Sequence, residues 1–298
     1  MNQSSVRSNL AFPTQYISRV MADFSIQSLF NVKGKVALVT GGGSGIGKMM
    51  AAALVQNGCK VYIASRKLKV VQDTASELTL KGPGTCIAIQ SNLTTRAQAE
   101  SLAATIASKE SKLHVLINNS GVAWASPLLD YDEKLGWDNL MALNVKGMFY
   151  LTAALVPLLK AASNGNVDPA RVINISSISA VSPLAEGVLT PNGYGTWSYS
   201  VSKAAVNHLT KTLAASLAKE MITVNAIAPG VFPSGMTQYS LSQAENHLVK
   251  LQPMGRIGIP DDLAGLALFL SSRASSHMTG VIFTMDGGAI LGIPPTRL

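Results

Sequence analysis

From residue 35 onward, short apolar runs alternate with longer stretches in which apolar residues recur every three or four positions. The short runs have the length of buried strands, and the longer stretches have the period of helices. The predicted strands are 36–39, 61–64, 86–89, 115–117, 172–175, 223–227 and 281–284. The predicted helices are 46–56, 68–80, 97–108, 137–160, 200–218 and 261–270.

This order of elements predicts an α/β protein. Strands alternating with helices indicate right-handed βαβ units, and continuously apolar strands are typical of a parallel sheet covered on both faces. We predict one domain over residues 31–298 with a doubly wound, seven-stranded parallel sheet. Residues 1–30 are rich in Ser, Asn and Gln and are predicted to form a flexible extension. Two irregular segments, 176–198 and 229–256, have the length at which loops are usually functional.

The composition allows a large core and argues against several kinds of site. Of the 298 residues, 47% are hydrophobic and 13% are charged. No window holds the roughly 18 uninterrupted apolar residues of a membrane span, so none is predicted. Cys59 and Cys86 lie in strand-like apolar runs and are expected to be buried free thiols. The four histidines show no metal-ligand spacing, so no metal site is predicted.

The net charge of +8 raises the question of a nucleic-acid partner. The 24 basic residues are dispersed and form no block and no aromatic-basic stripe. We therefore predict no nucleic-acid partner, and expect a solvated basic surface of which a few cations serve an anionic cofactor.

A glycine-rich turn follows the first predicted strand. It reads Thr40-Gly-Gly-Gly-Ser-Gly-Ile-Gly47 and leads into a predicted helix. Because glycine has no Cβ, such a turn lets the backbone approach a pyrophosphate, which sits on the positive helix N-terminus. A glycine-rich turn can also be an ordinary loop, but this position in a βαβ unit favours a dinucleotide site.

The second predicted strand ends at Ser65, Arg66 and Lys67. An acid at this position accepts the ribose 2′-hydroxyl of NAD, whereas hydroxyl and cationic groups suit the 2′-phosphate of NADP. Since no acid is present, NADP(H) is the expected cofactor. The alternative is that Arg66 is a solvated loop residue.

Tyr199 and Lys203 stand four residues apart at the start of a predicted helix. At this spacing both side chains share one helix face. A nearby cation favours the ionised phenol, so the pair is a candidate general acid/base. Tyr-Lys pairs also occur by chance on helices, and the assignment depends on the other motifs.

Together these motifs resemble the short-chain dehydrogenase/reductase family, from about residue 30 to 288. The ordered matches are Thr40-Gly41-x-x-x-Gly45-x-Gly47, Asn118-Asn119-Ser120-Gly121, Asn144, Asn174-Ile-Ser-Ser177, Tyr199-x-x-x-Lys203, Pro229-Gly230 with Ser234, Gly255-Arg256-x-Gly258-x-Pro260 and Asp286-Gly287-Gly288. The resemblance implies a Rossmann fold and a catalytic tetrad. That tetrad is Asn144, Ser177, Tyr199 and Lys203.

The resemblance, together with the glycine turn and the end of the second strand, also implies which residues contact the cofactor. They are Thr40, Gly41, Ser44, Gly45, Ile46, Gly47, Ser65, Arg66, Asn92, Asn119, Tyr199, Lys203, Pro229, Gly230, Val231 and Ser234. Asn92 stands where the family usually has an Asp at the adenine. An amide can still hydrogen-bond the adenine edge, so binding is expected to survive this departure.

A second departure separates Ser177 from Tyr199. The family commonly has about a dozen residues there, whereas this chain has a step of 22 positions from 177 to 199. The extra material, residues 183–197, must loop out so that Ser177 and Tyr199 still converge, and it is expected to shape specificity. Tyr194 and Trp197 are interpreted as loop anchors or pocket wall.

The family mechanism implies that Tyr199 protonates a substrate carbonyl while Ser177 orients it. Lys203 is expected to lower the pKa of Tyr199 and bind the nicotinamide ribose. Asn144 is expected to hold a water that reloads the proton, to stabilise a helix kink, or to do both. Residues 230–254 are expected to close over the substrate as an apolar roof.

The expected substrate is a small hydrophobic carbonyl or alcohol. The pattern resembles 3-oxoacyl thioester reductases and equally enzymes of polyketide or terpenoid intermediates. A non-catalytic NADP(H)-binding sensor is a further alternative, although it would be expected to lose Tyr199 or Lys203.

The family resemblance implies assembly through two long helices, about 132–160 and 198–218, into a homodimer or homotetramer. A cytoplasmic location is the default expectation. Mitochondrial and peroxisomal locations are the alternatives, on the basic N-terminus and on Thr296-Arg297-Leu298.

Overall fold

The computed structural model describes residues 23–187 and 189–292. Residues 1–22 of the predicted extension and the terminal Thr296-Arg297-Leu298 lie outside this range. The part of the extension that is described contains helix α1 (Ile26–Leu29), capped by Ser25, and Phe30, whose ring lies 6.3 Å from that of Phe269.

Seven parallel strands form one sheet, as predicted. The strands are β1 (Val36–Thr40), β2 (Lys60–Ser65), β3 (Thr85–Gln90), β4 (Val115–Asn118), β5 (Ala170–Ile175), β6 (Ile222–Pro229) and β7 (Ile282–Met285). Their order is β3-β2-β1-β4-β5-β6-β7, so β1 pairs with both β2 and β4. In register, Val39 lies opposite Ile63 on one side and Ile117 on the other. From β1 the chain first adds β2 and β3 on one side. It then crosses back, and β4 and the later strands are added on the other side of β1.

Helices cover both faces of this sheet. They are α2 (Gly45–Gln56), α3 (Leu68–Leu80), α4 (Arg96–Ala107), α5 (Glu133–Ala162), α6 (Trp197–Leu217), α7 (Gln238–Lys250) and α8 (Pro260–Ser271). Residues of α2, α3 and α8 share one core cluster, and residues of α4, α5 and α6 share the other. The middle strands are buried on both faces, which explains their uninterrupted apolar runs.

Helix α5 departs from regular α-helical geometry at two places. Its segments Glu133–Asp138 and Ala142–Gly147 are π-helical. It is also the one helix of the described residues that is long and apolar enough, by length and composition, to cross a membrane. Leu151, Leu155 and Leu159 on this helix are fully buried in the core, which is a sufficient reason for its apolar character.

The prediction that residues 229–256 are irregular is wrong, because α7 spans Gln238–Lys250. Only Ser240 and Leu248 of this helix are buried, and most of its residues are polar, so it does not stand out as an apolar segment in the sequence. A kink at Ala244 also interrupts the helix. In the other predicted loop, Ile178–Ala180 forms a short 3-10 turn and α6 begins at Trp197, a few residues before the predicted start.

Candidate active site

The predicted site residues meet at the carboxyl edge of the sheet. Gly41 follows β1, Asn119 follows β4, Ser177 follows β5 and Gly230 follows β6. The strand order reverses between β1 and β4, and in doubly wound sheets such a switch point leaves a crevice for ligands. The fold therefore places the glycine turn and the predicted catalytic residues on the same edge.

The glycine turn is tightly packed against the loop after β4. Gly41 has a φ of +65°, which favours glycine. The Asn119 amide donates to the carbonyls of Thr40 and Gly41 at 3.0 and 3.2 Å, and a Cβ on Gly47 would overlap that amide and the Gly41 carbonyl. Asn119 thus holds the turn in shape through its side chain.

The first turn of α2 fits an anionic ligand. Ser44 is its N-cap residue, and within the described chain its hydroxyl makes no capping hydrogen bond and the first turn carries no acid. Amide N–H groups at Gly45, Ile46 and Gly47 therefore face the switch point without a protein anion to balance them. This arrangement suits the pyrophosphate of a dinucleotide.

Cationic and polar groups also follow β2 and β3, the two strands that lie beyond β1 in the sheet. Arg66 is exposed just after β2, and its carbonyl accepts a hydrogen bond from Gln90 at 3.1 Å. Ser65 ends β2 and is half-buried. Asn92 lines a polar cleft with Ser91 and Gln98, although its side-chain oxygen accepts the Leu93 N–H at 2.9 Å. These positions agree with a ribose phosphate and an adenine edge as ligands.

Asn144 is fully buried in the second π-helical segment of α5. Its amide donates to the Val122 carbonyl at 2.9 Å and to the Ser202 hydroxyl at 3.1 Å, and its oxygen accepts the Val122 N–H at 2.9 Å. The side chain therefore ties α5 to the loop after β4 and to α6. Asn144 is expected to hold a water, to stabilise a helix kink, or to do both. These hydrogen bonds favour stabilisation of the irregular helix.

Lys203 is buried on α6, and its ammonium donates to the Ile175 carbonyl at 2.8 Å. Burial lowers the pKa of Lys203 to about 8. The same ammonium lies 5.6 Å from the centre of the Tyr199 ring. Lys203 is thus bonded to the end of β5 and lies beside Tyr199, the predicted acid.

The expectation that Lys203 lowers the pKa of Tyr199 does not match this structure. Burial raises the pKa of the Tyr199 phenol, and only the Ser177 hydroxyl acts in the opposite direction. Desolvation of the phenolate is the larger of these two effects on the pKa of Tyr199. Tyr199 is consequently protonated at neutral pH and is able to donate a proton.

Ser198 is a site residue that sequence reasoning missed. Its hydroxyl is fully buried, lies 2.7 Å from the Tyr131 hydroxyl and donates to the Gly136 carbonyl. The Tyr131 hydroxyl also donates to the Trp124 carbonyl at 3.3 Å. These contacts fix the first turn of α6, where Tyr199 lies. No local pattern could reveal them, because Tyr131 and Ser198 are 67 residues apart.

A second buried network lies below the catalytic residues. Asn118 donates to Thr152 of α5 at 3.0 Å and to the Asn174 oxygen at 2.9 Å, and Asn174 donates to Thr210 of α6 at 3.0 Å. Two helices and two strands are thereby linked through side chains. This network keeps α5 and α6 in fixed positions beneath Asn144 and Lys203.

The segment after β6 lies against the glycine turn. Pro229 ends β6, Gly230 donates its N–H to the Met285 carbonyl at 2.9 Å, and the Val231 carbonyl accepts from Gly258 at 2.9 Å. A Cβ on Gly45 would approach the Ser234 Cβ to 3.0 Å. Ser234 therefore stands directly over the N-terminus of α2, as expected for a residue near the cofactor.

Residues 183–187 and 189–197 lie between the 3-10 turn after β5 and the start of α6, and they are attached to the loop after β4. Gly195 makes reciprocal backbone hydrogen bonds with Ser126, and the Trp197 indole donates to the Ser126 carbonyl at 3.3 Å. Trp197 is thus an anchor, whereas the Tyr194 side chain is 39% exposed. In the described residues, no group of three or more His, Cys, Asp or Glu side chains is able to hold a metal ion.

Comparison with known proteins agrees with this geometry. The family model described as Enoyl-(Acyl carrier protein) reductase matches residues 41–289. A rhamnolipid-biosynthesis 3-oxoacyl-[acyl-carrier-protein] reductase of Pseudomonas aeruginosa is 39% identical, over 87% of this chain and 97% of that protein. The 3-oxoacyl-[acyl-carrier-protein] reductase FabG of Thermotoga maritima is 33% identical, over 87% and 99%. The Pseudomonas aeruginosa RhlG/NADP active-site complex superposes with a TM-score of 0.80 at 38% identity, covering 88% and 98%.

Proposed function

Because this chain belongs to the short-chain dehydrogenase/reductase family, we propose that it reduces the keto group of hydrophobic 3-oxoacyl thioesters with NADPH. The observation that carries the proposal is the grouping of Tyr199, Lys203 and Ser177 at the edge that also holds the glycine turn. The similarity to 3-oxoacyl-[acyl-carrier-protein] reductases of Pseudomonas aeruginosa and Thermotoga maritima supports the substrate class.

The preference for NADPH rests on the groups after β2. Arg66 is exposed next to Ser65, and no acid stands at the end of this strand. A guanidinium binds phosphate oxygens through charge-assisted hydrogen bonds. The similar Pseudomonas aeruginosa structure is a complex with NADP, which agrees with this preference.

Each site residue has its own role in the proposed reaction. When bound, the nicotinamide would exchange a hydride with the substrate carbon. Tyr199 donates its proton to the carbonyl oxygen as negative charge develops there, and Ser177 orients that oxygen by hydrogen bonding. Lys203 holds positive charge beside Tyr199, and Asn144 fixes the loop after β4 so that the site keeps its shape.

The direction of reduction is proposed from the cofactor, because NADPH is usually held as a reducing agent. Burial raises the pKa of Tyr199, and a phenol that carries its proton can act as the acid of a reduction.

The proposal includes assembly through α5 and α6. Leu135, Trp137 and Phe149 on α5 and Val201 on α6 keep between 38% and 50% of their side-chain surface exposed. Apolar patches of this kind on paired helices are typical of subunit interfaces. Sedimentation velocity on the full chain, with Val201→Glu as the disrupting variant, tests for a homodimer or homotetramer.

The function is tested by NADPH oxidation with 3-oxoacyl thioesters. Wild-type protein is expected to turn over these substrates with NADPH in preference to NADH. Tyr199→Phe is expected to abolish turnover while NADPH still quenches protein fluorescence on binding. Turnover retained in Tyr199→Phe would overturn the assignment of the acid, and no turnover with any thioester would overturn the substrate class.

A further inference from the structure

We infer that Ser202 is a positioning residue of the reaction, because its hydroxyl joins the buried Asn144 amide to the main-chain carbonyl of Tyr199. This role rests on the proposed carbonyl reduction with Tyr199 as the acid. It goes beyond that function by adding a residue outside the predicted tetrad, and by giving Asn144 a partner through which it acts on the acid.

Ser202 lies on α6 between the acid and the lysine. It follows Tyr199 by one turn and directly precedes Lys203, and it is completely buried. Its hydroxyl donates to the Tyr199 carbonyl at 2.7 Å and accepts from the Asn144 amide at 3.1 Å. A serine hydroxyl has a single hydrogen to donate, so the direction of this link is fixed.

Asn144 is itself held from its other side. Its amide also donates to the Val122 carbonyl at 2.9 Å, and its oxygen accepts the Val122 N–H at 2.9 Å. A Cβ on Gly121 would lie 3.2 Å from this oxygen and 3.7 Å from the Lys203 Nζ, so the backbone of the loop lies close to both groups. A group that is bonded to Asn144 is thereby tied to the loop after β4.

The two π-helical segments of α5 each hydrogen-bond to α6. The Ser198 hydroxyl donates to the Gly136 carbonyl in the first segment, and Ser202 accepts from Asn144 in the second. Tyr199 lies between the two serines along the chain. π-Helical turns are frequent at functional sites, and here each of them is bonded to α6 beside the acid.

Loss of the Ser202 hydroxyl would leave one buried amide hydrogen of Asn144 without a partner and remove a donor from the Tyr199 carbonyl. A buried polar group without a partner is costly, so the chain is expected to shift until the group is satisfied. Because the phenol belongs to the same residue as this carbonyl, such a shift moves the acid relative to the substrate oxygen. Misplacement of a catalytic group by about 1 Å can lower a rate about 100-fold.

The test uses two variants of Ser202 and one control. Ser202→Ala removes the hydroxyl, and Ser202→Cys fills the same space with a group that hydrogen-bonds weakly. Ser275→Ala is the matched control, because Ser275 is 1% exposed and its hydroxyl donates to the Leu270 carbonyl at 3.0 Å. Ser275 follows α8, whose last residue Ser271 accepts from Lys35 just before β1, at the opposite edge of the sheet.

Single-turnover oxidation of NADPH by 3-oxooctanoyl N-acetylcysteamine is followed by stopped flow, and NADPH affinity by fluorescence titration. Each variant is assayed at a temperature at which circular dichroism shows that it is folded. Both Ser202 variants are expected to react at least about tenfold more slowly than wild type, with NADPH affinity within about twofold. The solvent deuterium isotope effect on this rate is expected to rise, because transfer of the Tyr199 proton becomes harder. Ser275→Ala is expected to keep the wild-type rate and isotope effect.

A wild-type rate in either Ser202 variant would overturn the inference, because the hydrogen bonds would then be dispensable. An equal loss of rate in Ser275→Ala would also overturn it, since loss of any buried hydroxyl would then have the same effect. A loss confined to NADPH affinity, or a slower rate with an unchanged isotope effect, would show that Ser202 does not act on the acid. In these cases wild-type turnover leaves the proposed reductase function standing, whereas no wild-type turnover with any 3-oxoacyl thioester would reject both.

Discussion

The ammonium of Lys203 donates to the main-chain carbonyl of Ile175 across 2.8 Å, so the last residue of β5 holds the cation beside Tyr199. Backbone at the end of a fully buried strand is among the most rigid parts of a fold. The position of Lys203 is thereby set by the sheet itself. Its surroundings also set its charge, because burial lowers the pKa of this lysine to about 8.

The first prediction concerns the pH dependence of reduction. Lys203 is charged below its pKa of about 8 and loses its proton above it, whereas Tyr199 stays protonated because its pKa is raised. We expect kcat/KM for reduction to be level up to about pH 8 and to fall above it, because the positive charge beside Tyr199 that helps the phenol to release its proton is then lost. Initial rates across this range measure the effect, and a reduction rate that stays level to pH 10 would contradict it.

The second prediction concerns Arg66 and cofactor choice. Arg66→Ala removes the exposed guanidinium after β2, and we expect KM for NADPH to rise about 10- to 100-fold while KM for NADH changes little. Lys33→Ala is the control, because it removes an exposed cation before β1, at the opposite edge of the sheet. Equal losses with both cofactors would mean that Arg66 does not read the 2′-phosphate.

The third prediction compares two helical glycines. A Cβ on Gly147 would overlap the Leu93 carbonyl oxygen, whereas a Cβ on Gly265 meets nothing within 4 Å. We expect Gly147→Ala to destabilise the protein by about 1–3 kcal/mol through overpacking, and Gly265→Ala to stabilise it by up to about 1 kcal/mol. Urea unfolding of both variants measures the difference. Equal effects would show that α5 shifts away from Leu93 without cost.

The fourth prediction concerns stability in acid. Burial, and to a smaller extent the nearby cations Lys35, Lys112 and Arg171, lower the pKa of His114 from 6.5 to about 4, while Asp168 acts in the opposite direction. Between these values the unfolded state binds more protons, so stability falls as the pH drops through this window. We expect a loss of about 1 kcal/mol, well below the full linkage value, because the half-buried ring is screened by solvent.

His114→Asn tests this assignment, because an amide oxygen can still accept the Val36 N–H that His114 now accepts at 2.9 Å. Unfolding is measured at pH 7 and pH 4.5, with exposed His208→Asn as the control. An identical pH dependence in wild type and His114→Asn would show that another group is responsible.

The strands could be predicted from the sequence because burial on both faces leaves a continuous apolar run. Residues 115–117 and 172–175 illustrate this, since both β4 and β5 are completely buried. Helix α7 could not be predicted in the same way. This helix is mostly polar and buries only Ser240 and Leu248, so it resembles a loop in composition although it is helical in the structure.

The candidate site could likewise be predicted only in part. The positions of Asn144, Ser177, Tyr199 and Lys203 follow from motifs, because the chemistry requires those residue types at those places. The environment of these residues does not follow from motifs. The raised pKa of Tyr199 depends on its burial in the folded protein, and the support of α6 by Ser198 depends on Tyr131, 67 residues earlier.

The hydrogen bonds from Asn119 to the glycine turn determine when the cofactor site of a nascent chain can form. Ribosomes complete β1, β2 and β3 before they reach Asn119, which lies 79 residues after Thr40. The turn must therefore wait for β4 to insert beside β1 before it acquires its final shape. Parallel pairing over such separations is slow. We therefore expect a nascent chain to gain affinity for a dinucleotide late, when the part of the chain that carries the catalytic residues also folds.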